Sequence, residues 1–370
     1  MTIYEDIGLD KVINCSGKMT ALGVSKISDE VAQAMGMAGK DFVVIDELID
    51  RAGEIISSFT GSEDSCITAS ASAGIAISVG ALIARDSRVA IERLPNSEGL
   101  KNEIIIQKGH MINFGGPIST MIRLGGGKIV EVGFSNKVLT QHVEESINEN
   151  TAALFYVKSH HCVQKGMVSL EDMIKISKKY GIPLIVDAAA EENLQRYVKL
   201  GADLVIYSGA KAFEGPTSGF ITGKKELIKH CKLQYLGIGR AMKIGKENIM
   251  GLLRALEIYS QGNIDTEINR QKNIVSKIIE ELKSIVGMSI QMIQDEAGRK
   301  IFRAQIEVEE EIIGFNCLEL VKRLKEGNPK IYVRDHFANV GKLSLDVRSV
   351  DETDVEDIVL KLREVTKGNI

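Results

Sequence analysis

Over the first two thirds of the chain, short and almost wholly apolar runs alternate with longer stretches whose apolar residues recur every three or four positions. The runs Glu103–Gln107, Lys128–Gly133, Ala152–Val157, Ile182–Asp187, Asp203–Ser208 and Gly219–Gly223 predict strands, several of them buried on both faces. The helical stretches between them predict a mostly parallel sheet covered by helices. After Ile249 the texture changes. Leu252, Leu253, Leu256 and Ile258, and later Ile274 and Ile278, mark a long helix that ends near Leu282 and is broken near Gly262.

From Val286 onward, strand-like segments (Lys300–Val308, Lys330–Arg334, Lys342–Val347) mix with helices near Cys317–Lys325 and Glu352–Thr366. The first residues, with Gly17, Gly23, Gly36 and Gly39, show weak periodicity and read as an arm packed on other structure. The expected division is an arm over 1–45, a large α/β domain over 46–248, a connecting helix over 249–285 and a small α+β domain over 286–370.

Composition narrows the classes that remain. With 370 residues, 44% hydrophobic and 26% charged, the chain has the balance of a globular enzyme. Its net charge of −4 is spread without a basic stripe, which argues against a nucleic-acid partner. The 5 cysteines are scattered, without Cys-x-x-Cys spacing, and read as reduced thiols. No basic segment followed by an apolar core opens the chain, so a cytoplasmic location is expected. Ala69–Ala84 is too short and too rich in Ser and Gly to span a bilayer, and predicts a buried helix.

The chemistry gathers at strand ends. Lys211 follows the run Leu204–Tyr207 in a glycine-rich turn, where α/β proteins place ligands. A lysine so held can have its pKa lowered and form an imine with an aldehyde cofactor; taken alone, it reads as a surface lysine in a strand-to-strand turn, and the segment upstream changes that reading. Asp187 ends the run Ile182–Val186, 24 residues upstream, which fits one crossover between neighbouring parallel strands. A carboxylate there either caps a helix or keeps the pyridine nitrogen of pyridoxal phosphate protonated, making the ring an electron sink. Ser70, Ala71 and Ser72 precede a helix of small residues and are candidates to cradle a phosphate, with Ser208 opposite; simple capping by Ser70 is the alternative.

His110 follows the strand Glu103–Gln107 and either stacks on a planar cofactor or is a satisfied loop residue. His160, in Ser159-His-His-Cys162, suits a cofactor-facing or substrate-facing role; with no second cluster to complete four ligands, no metal is expected. Arg240 and Lys243 concentrate positive charge before the long helix and suit a substrate phosphate or a solvated turn. Arg348 ends a strand and suits a carboxylate clamp or a rim ion pair, as does Arg334.

The run Ser208-Gly-Ala-Lys-Ala-Phe-Glu-Gly-Pro-Thr-Ser-Gly-Phe-Ile-Thr-Gly-Lys224 resembles the lysine segment of the selenocysteine synthase (seryl-tRNA selenium transferase) superfamily of fold type I pyridoxal phosphate enzymes. Val12–Gly17, Arg240–Lys246 and Leu345–Val350 are similar to other blocks of that family, and the resemblance covers about residues 10 to 365. It implies an aspartate aminotransferase-like large domain with a small C-terminal domain. It also implies pyridoxal 5'-phosphate on Lys211, with Asp187 as the pyridine partner, and at least a homodimer.

The tRNA-binding N-terminal domain of the selenium transferases is not evident. Thr68–Gly74 replaces their Asn-rich segment, and Gly245 stands where an acidic residue is usual. These departures point to the D-glucosaminate-6-phosphate ammonia-lyase branch. The expected reaction is α,β-elimination on a phosphorylated 2-amino-3-hydroxy sugar acid. Lys211 would move the proton, Lys211 or His160 would assist loss of the hydroxyl, Arg240 and Lys243 would hold the phosphate, and Arg348 the carboxylate. A seryl-tRNA selenium transferase and a non-catalytic binding protein on the same fold are the alternatives.

Overall fold

The computed structural model describes residues 2–159, 161–295 and 299–366. The chain divides into two compact units, Ile27–Gln261 and Met1–Lys26 with Gly262–Ile370.

The first strand, β1 (Val12–Cys15), belongs to the smaller unit. Seven strands build the large unit: β2 (Asp64–Thr68), β3 (Glu103–Gln107), β4 (Lys128–Val132), β5 (Thr151–Val157), β6 (Leu184–Asp187), β7 (Leu204–Ser208) and β8 (Gly219–Gly223). They form one sheet in the order β2-β8-β7-β6-β5-β3-β4. Pairing is parallel from β4 through β7, and antiparallel for β8 against β7 and β2. Every residue of β3, β5, β6, β7 and β8 is buried. That explains their unbroken apolar runs, because each is covered on both faces.

Local signals end the elements where the sequence suggests. The helix Leu170–Tyr180 starts at Ser169, whose hydroxyl accepts from the Asp172 N–H, and stops at Gly181 with φ 65°. The helix Ala71–Ala84 is buried from Ala73 to its end, as its apolar composition requires. The long helical pattern is interrupted where expected: Lys246–Gln261 and Ile264–Leu282 are separate helices, and Asn263 caps the second. The division between units falls at this break.

The small unit holds β9 (Met288–Gln294), β10 (Phe302–Val308), β11 (Lys330–Val333) and β12 (Lys342–Asp346). β12, β10 and β9 form an antiparallel sheet, and β11 pairs in parallel with β1. That pairing explains why residues 1–26 group with the C-terminal part while 27–45 group with the large unit. The expected single arm over 1–45 is thus shared between the two. Ile13 and Cys15 of β1 are buried in the core of the small unit.

Candidate active site

The parallel strands of the large unit point their C-terminal ends the same way, and the candidate residues collect at those ends. β5 and β6 are in register with Val157 opposite Asp187, and β6 and β7 with Asp187 opposite Ile206. Asp187 and the segment leading to Lys211 are therefore brought to one edge of the sheet.

The Lys211 turn is shaped by close backbone contacts. The Gly209 N–H donates to Ser218 O (2.9 Å) and the Gly215 N–H to Gly209 O (2.9 Å), which folds residues 209–218 back on themselves. A Cβ at Gly209 would lie 2.3 Å from Ser218 Oγ, so glycine is required there. Glu214, just after the lysine, holds φ 52°, a left-handed conformation uncommon for a side chain of its kind.

Lys211 is half-buried. Burial lowers its pKa, and the negative charge of Asp187 partly restores it. Asp187 is 6% exposed, and burial pushes its carboxyl up to about 6, offset by a hydrogen bond from the Ala189 N–H (3.1 Å) and by the Lys211 charge. The two charges act on each other, yet no salt bridge joins them among the described residues; desolvation dominates both. An amine that loses its proton easily, beside a carboxyl that keeps one easily, is the arrangement proton transfer requires.

Ser70 caps the helix Ala71–Ala84, its hydroxyl accepting from the Ala73 N–H (3.0 Å). The capping alternative is thus realised, and it leaves the first-turn amides of Ala71 and Ser72 without carbonyl partners in the helix. β8 passes close beneath this turn: a Cβ at Gly219 would lie 2.5 Å from the Ser70 carbonyl carbon and 2.6 Å from the Ala71 nitrogen. Ser208 is buried at the end of β7, so the lysine turn and the helix start converge on one place.

His110 is fully buried. Its Nδ1 accepts from the Val157 N–H (3.2 Å), and its ring meets Tyr156 edge-on, centroids 4.6 Å apart. Burial, with the Lys158 charge, pushes its pKa down to about 4. The neutral ring therefore carries its proton on Nε2, which is buried with no partner among the described residues. A ring with no exposed face offers this N–H, not a stacking surface.

Cys162 lies in the same neighbourhood, its thiol pushed up to about 12 by burial and by Asp187. Cys162 was visible only as the end of Ser159-His-His-Cys162, a few residues after β5; nothing local marks it as a neighbour of Asp187. His160 lies outside the described residues.

Arg240 and Lys243 are exposed on and just after the 3-10 turn Ile238–Met242, and neither enters an ion pair among the described residues. Arg348 belongs to the small unit and is engaged. Its Nε and Nη2 each donate to Asp346 at 2.9 Å, and Asp346 also accepts from Arg303 Nε at 3.1 Å. Arg348 does not end the strand as expected: β12 stops at Asp346, and Arg348 lies on the 3-10 turn Val347–Ser349 that follows, two residues from its partner, a nearness legible in Leu345-Asp-Val-Arg348. The burial of the pair was not.

The chain is 49% identical over 365 residues to "D-glucosaminate-6-phosphate ammonia lyase" of Salmonella typhimurium (strain 14028s / SGSC 2262), covering 99% of this chain and 98% of that protein. It is 40% identical to "5'-C-glycyluridine monooxygenase-decarboxylase" of Streptomyces sp, covering 98% and 91%. The solved structure titled "Structure of D-Glucosaminate-6-phosphate Ammonia-lyase" matches with a TM-score of 0.96 and 48% identity, over 100% of this chain and 99% of that one. The fold is that of fold type I pyridoxal phosphate enzymes, and the small C-terminal α+β part carries an antiparallel sheet. The family model described as "SelA: L-seryl-tRNA selenium transferase" matches residues 12–357, and the chain belongs to that family.

Proposed function

We propose that the chain is a pyridoxal phosphate-dependent ammonia-lyase. It removes the elements of water from a phosphorylated 2-amino-3-hydroxy sugar acid such as D-glucosaminate 6-phosphate, and water then hydrolyses the resulting enamine to a 2-keto-3-deoxy acid and ammonia. The observation that carries this reading is the full-length likeness to the Salmonella enzyme. The Lys211–Asp187 pair supplies its chemical basis.

The residues present fit the cofactor. Lys211 would hold it through its amine, and Asp187 would face its ring nitrogen. The amides of Ala71 and Ser72, with Ser208, would face its phosphate, at a helix start that Gly219 lets β8 approach closely. Asp187 accepts one hydrogen bond, from the Ala189 N–H, and so keeps capacity for a cationic donor. When bound, the cofactor supplies an electron sink for the pair left at the substrate Cα.

The protein's own groups do the rest. The Lys211 amine, its pKa lowered by burial, takes the Cα proton and returns a proton to the departing β-hydroxyl. The buried His110 Nε2–H offers a fixed neutral donor. Arg240 and Lys243 are assigned to the substrate phosphate, as exposed cations free of ion pairs among the described residues. Arg348 gives two hydrogen bonds to Asp346, so as the carboxylate clamp it would act from a guanidinium already held in place.

A panel of phosphorylated and free amino sugar acids, scored for ammonia and keto acid, tests the proposal. Release from the phosphorylated 2-amino-3-hydroxy acid is expected, with a much higher KM for its unphosphorylated counterpart. No ammonia from any member of the panel would remove it.

A further inference from the structure

The segment that leaves β6 behind Asp187 sets what its carboxyl meets. Ala189 gives Asp187 the one hydrogen bond described above. The Ala188 N–H donates to Ile206 O (2.9 Å) and the Ser208 N–H to Ala189 O (3.4 Å), so the start of the segment follows β7. Its far end has no strand to follow, and there three phenols converge on successive residues. Tyr197 donates to the Glu191 carboxylate, Tyr259 to Glu192 O (2.9 Å), and Tyr207 to Asn193 O (2.8 Å) and Leu194 O (3.3 Å). Burial raises the pKa of all three, that of Tyr259 to about 12, so each phenol stays a donor at neutral pH.

Two of these tyrosines also hold the lysine turn. Tyr207 lies on β7, the strand that leads to Lys211, and is fully buried. Its ring stacks on Phe220 with centroids 5.2 Å apart and meets Phe213 at 6.1 Å. Tyr259, from the helix Lys246–Gln261, meets the same Phe213 edge-on at 5.0 Å. Phe213 follows Lys211 in the turn and is itself buried. One aromatic cluster therefore grips the lysine turn by its rings and the aspartate segment by its hydroxyls. A phenylalanine would fill the same space, so packing alone does not call for the two hydroxyls.

We propose that Tyr207, seconded by Tyr259, is a positioning residue. Its hydroxyl ties the segment after Asp187 to the strand and turn that carry Lys211, and so keeps the carboxyl and the amine in register for proton transfer. The roles of Asp187 and Lys211 in this proposal rest on the lyase reading. Loss of the tie frees residues 189–194, and the Ala189 N–H leaves Asp187 part of the time. That bond lowers the Asp187 pKa, so weakening it moves the pKa further up. The titratable groups acting with Asp187 are Lys211 and the Cys162 thiol, and neither is changed in the variants.

Tyr207→Phe keeps the ring and removes the hydroxyl, and Tyr259→Phe does the same from the helix. Enzyme loaded with pyridoxal phosphate is titrated with pH while its visible absorbance is followed, and kcat and KM are measured on D-glucosaminate 6-phosphate. Tyr207→Phe is expected to lower kcat about three- to tenfold with KM within about twofold, and to move the absorbance midpoint by about half a pH unit or more. Tyr259→Phe should act in the same direction and less, because Glu192 is exposed. A lower melting temperature with kcat and midpoint unchanged makes Tyr207 structural only and overturns the proposal. So does a rise in KM with kcat unchanged. If Tyr207→Phe does not fold, Tyr259→Phe decides by the same readings. If the wild type releases no ammonia, the lyase reading fails by itself. Hydrogen exchange of residues 188–194, followed without cofactor, then decides the tie: exchange no faster in Tyr207→Phe than in wild type overturns it.

Discussion

Asp187 in the large unit and Asp346 in the small unit are both buried carboxylates, and their surroundings drive them in opposite directions. Burial raises both. Asp187 has only the Ala189 N–H and the nearby Lys211 charge against it, and ends at about 6. Asp346 receives Arg348 through two hydrogen bonds and Arg303 through another, and ends at about 2. The first environment keeps a proton within reach of exchange. The second removes the proton and fixes a charge. One unit tolerates an energetically unsettled pair where chemistry is to happen, and the other spends its ionic contacts on holding a sheet together.

The sharpest way to break this contrast is to remove the reactive amine. Lys211→Ala is expected to abolish ammonia release, by about a thousandfold or more, with the fold intact by circular dichroism. An active Lys211→Ala enzyme would end its assignment. Next in size is Asp346→Asn, which leaves Arg303 and Arg348 facing each other without their shared anion. Denaturant unfolding should show a loss of about 3–5 kcal/mol. Because Asp346 has a lowered pKa when folded, its contribution is present above about pH 4 and fades as the pH falls through about 2.

Asp187→Asn should behave in the opposite way. The folded Asp187 has a raised pKa, so its contribution favours folding below about pH 4 and is lost as the pH rises through about 6. At pH 7 the cofactor-free Asn variant should therefore be more stable than wild type, by up to about 3 kcal/mol, while turnover falls. Thermal melts of both proteins from about pH 4 to 7 would show the curves converging at the acid end. Parallel curves would mean that Asp187 is already paired in the cofactor-free state.

Much of the large unit was legible because its strands are buried on both faces and its helices carry their own caps. Gly181 after Tyr180 and Ser169 before Leu170 are local instructions, readable without a fold. Lys211 and Asp187 were readable for the same reason: each follows an apolar run. The Ser70 cap was equally local, and the capping reading is what the helix start adopts. His110 was read as a residue at a strand end, which is correct as position. Its burial, its tautomer and its edge contact with Tyr156 depend on a neighbouring strand that no local pattern announces.

The small unit was less legible because its decisive contacts are long-range. β1 pairs with β11 across most of the chain, so a weakly periodic N-terminal segment becomes a core strand. Arg348 had its partner two residues away, but the second donor, Arg303, arrives from β10.

The sequence by itself determined the alternation of strands and helices, the helix caps, and the identity of the amine and the carboxylate at the strand ends. These follow from burial periodicity and backbone hydrogen bonding over a few residues. Only the tertiary structure decided that, among the described residues, Asp187 stays without an ion pair while Asp346 takes two guanidiniums, and that Gly219 lets β8 pass close beneath Ser70. The reason is physical: desolvation and Coulomb terms depend on which distant groups share a low-dielectric site, and that is settled by packing across the fold.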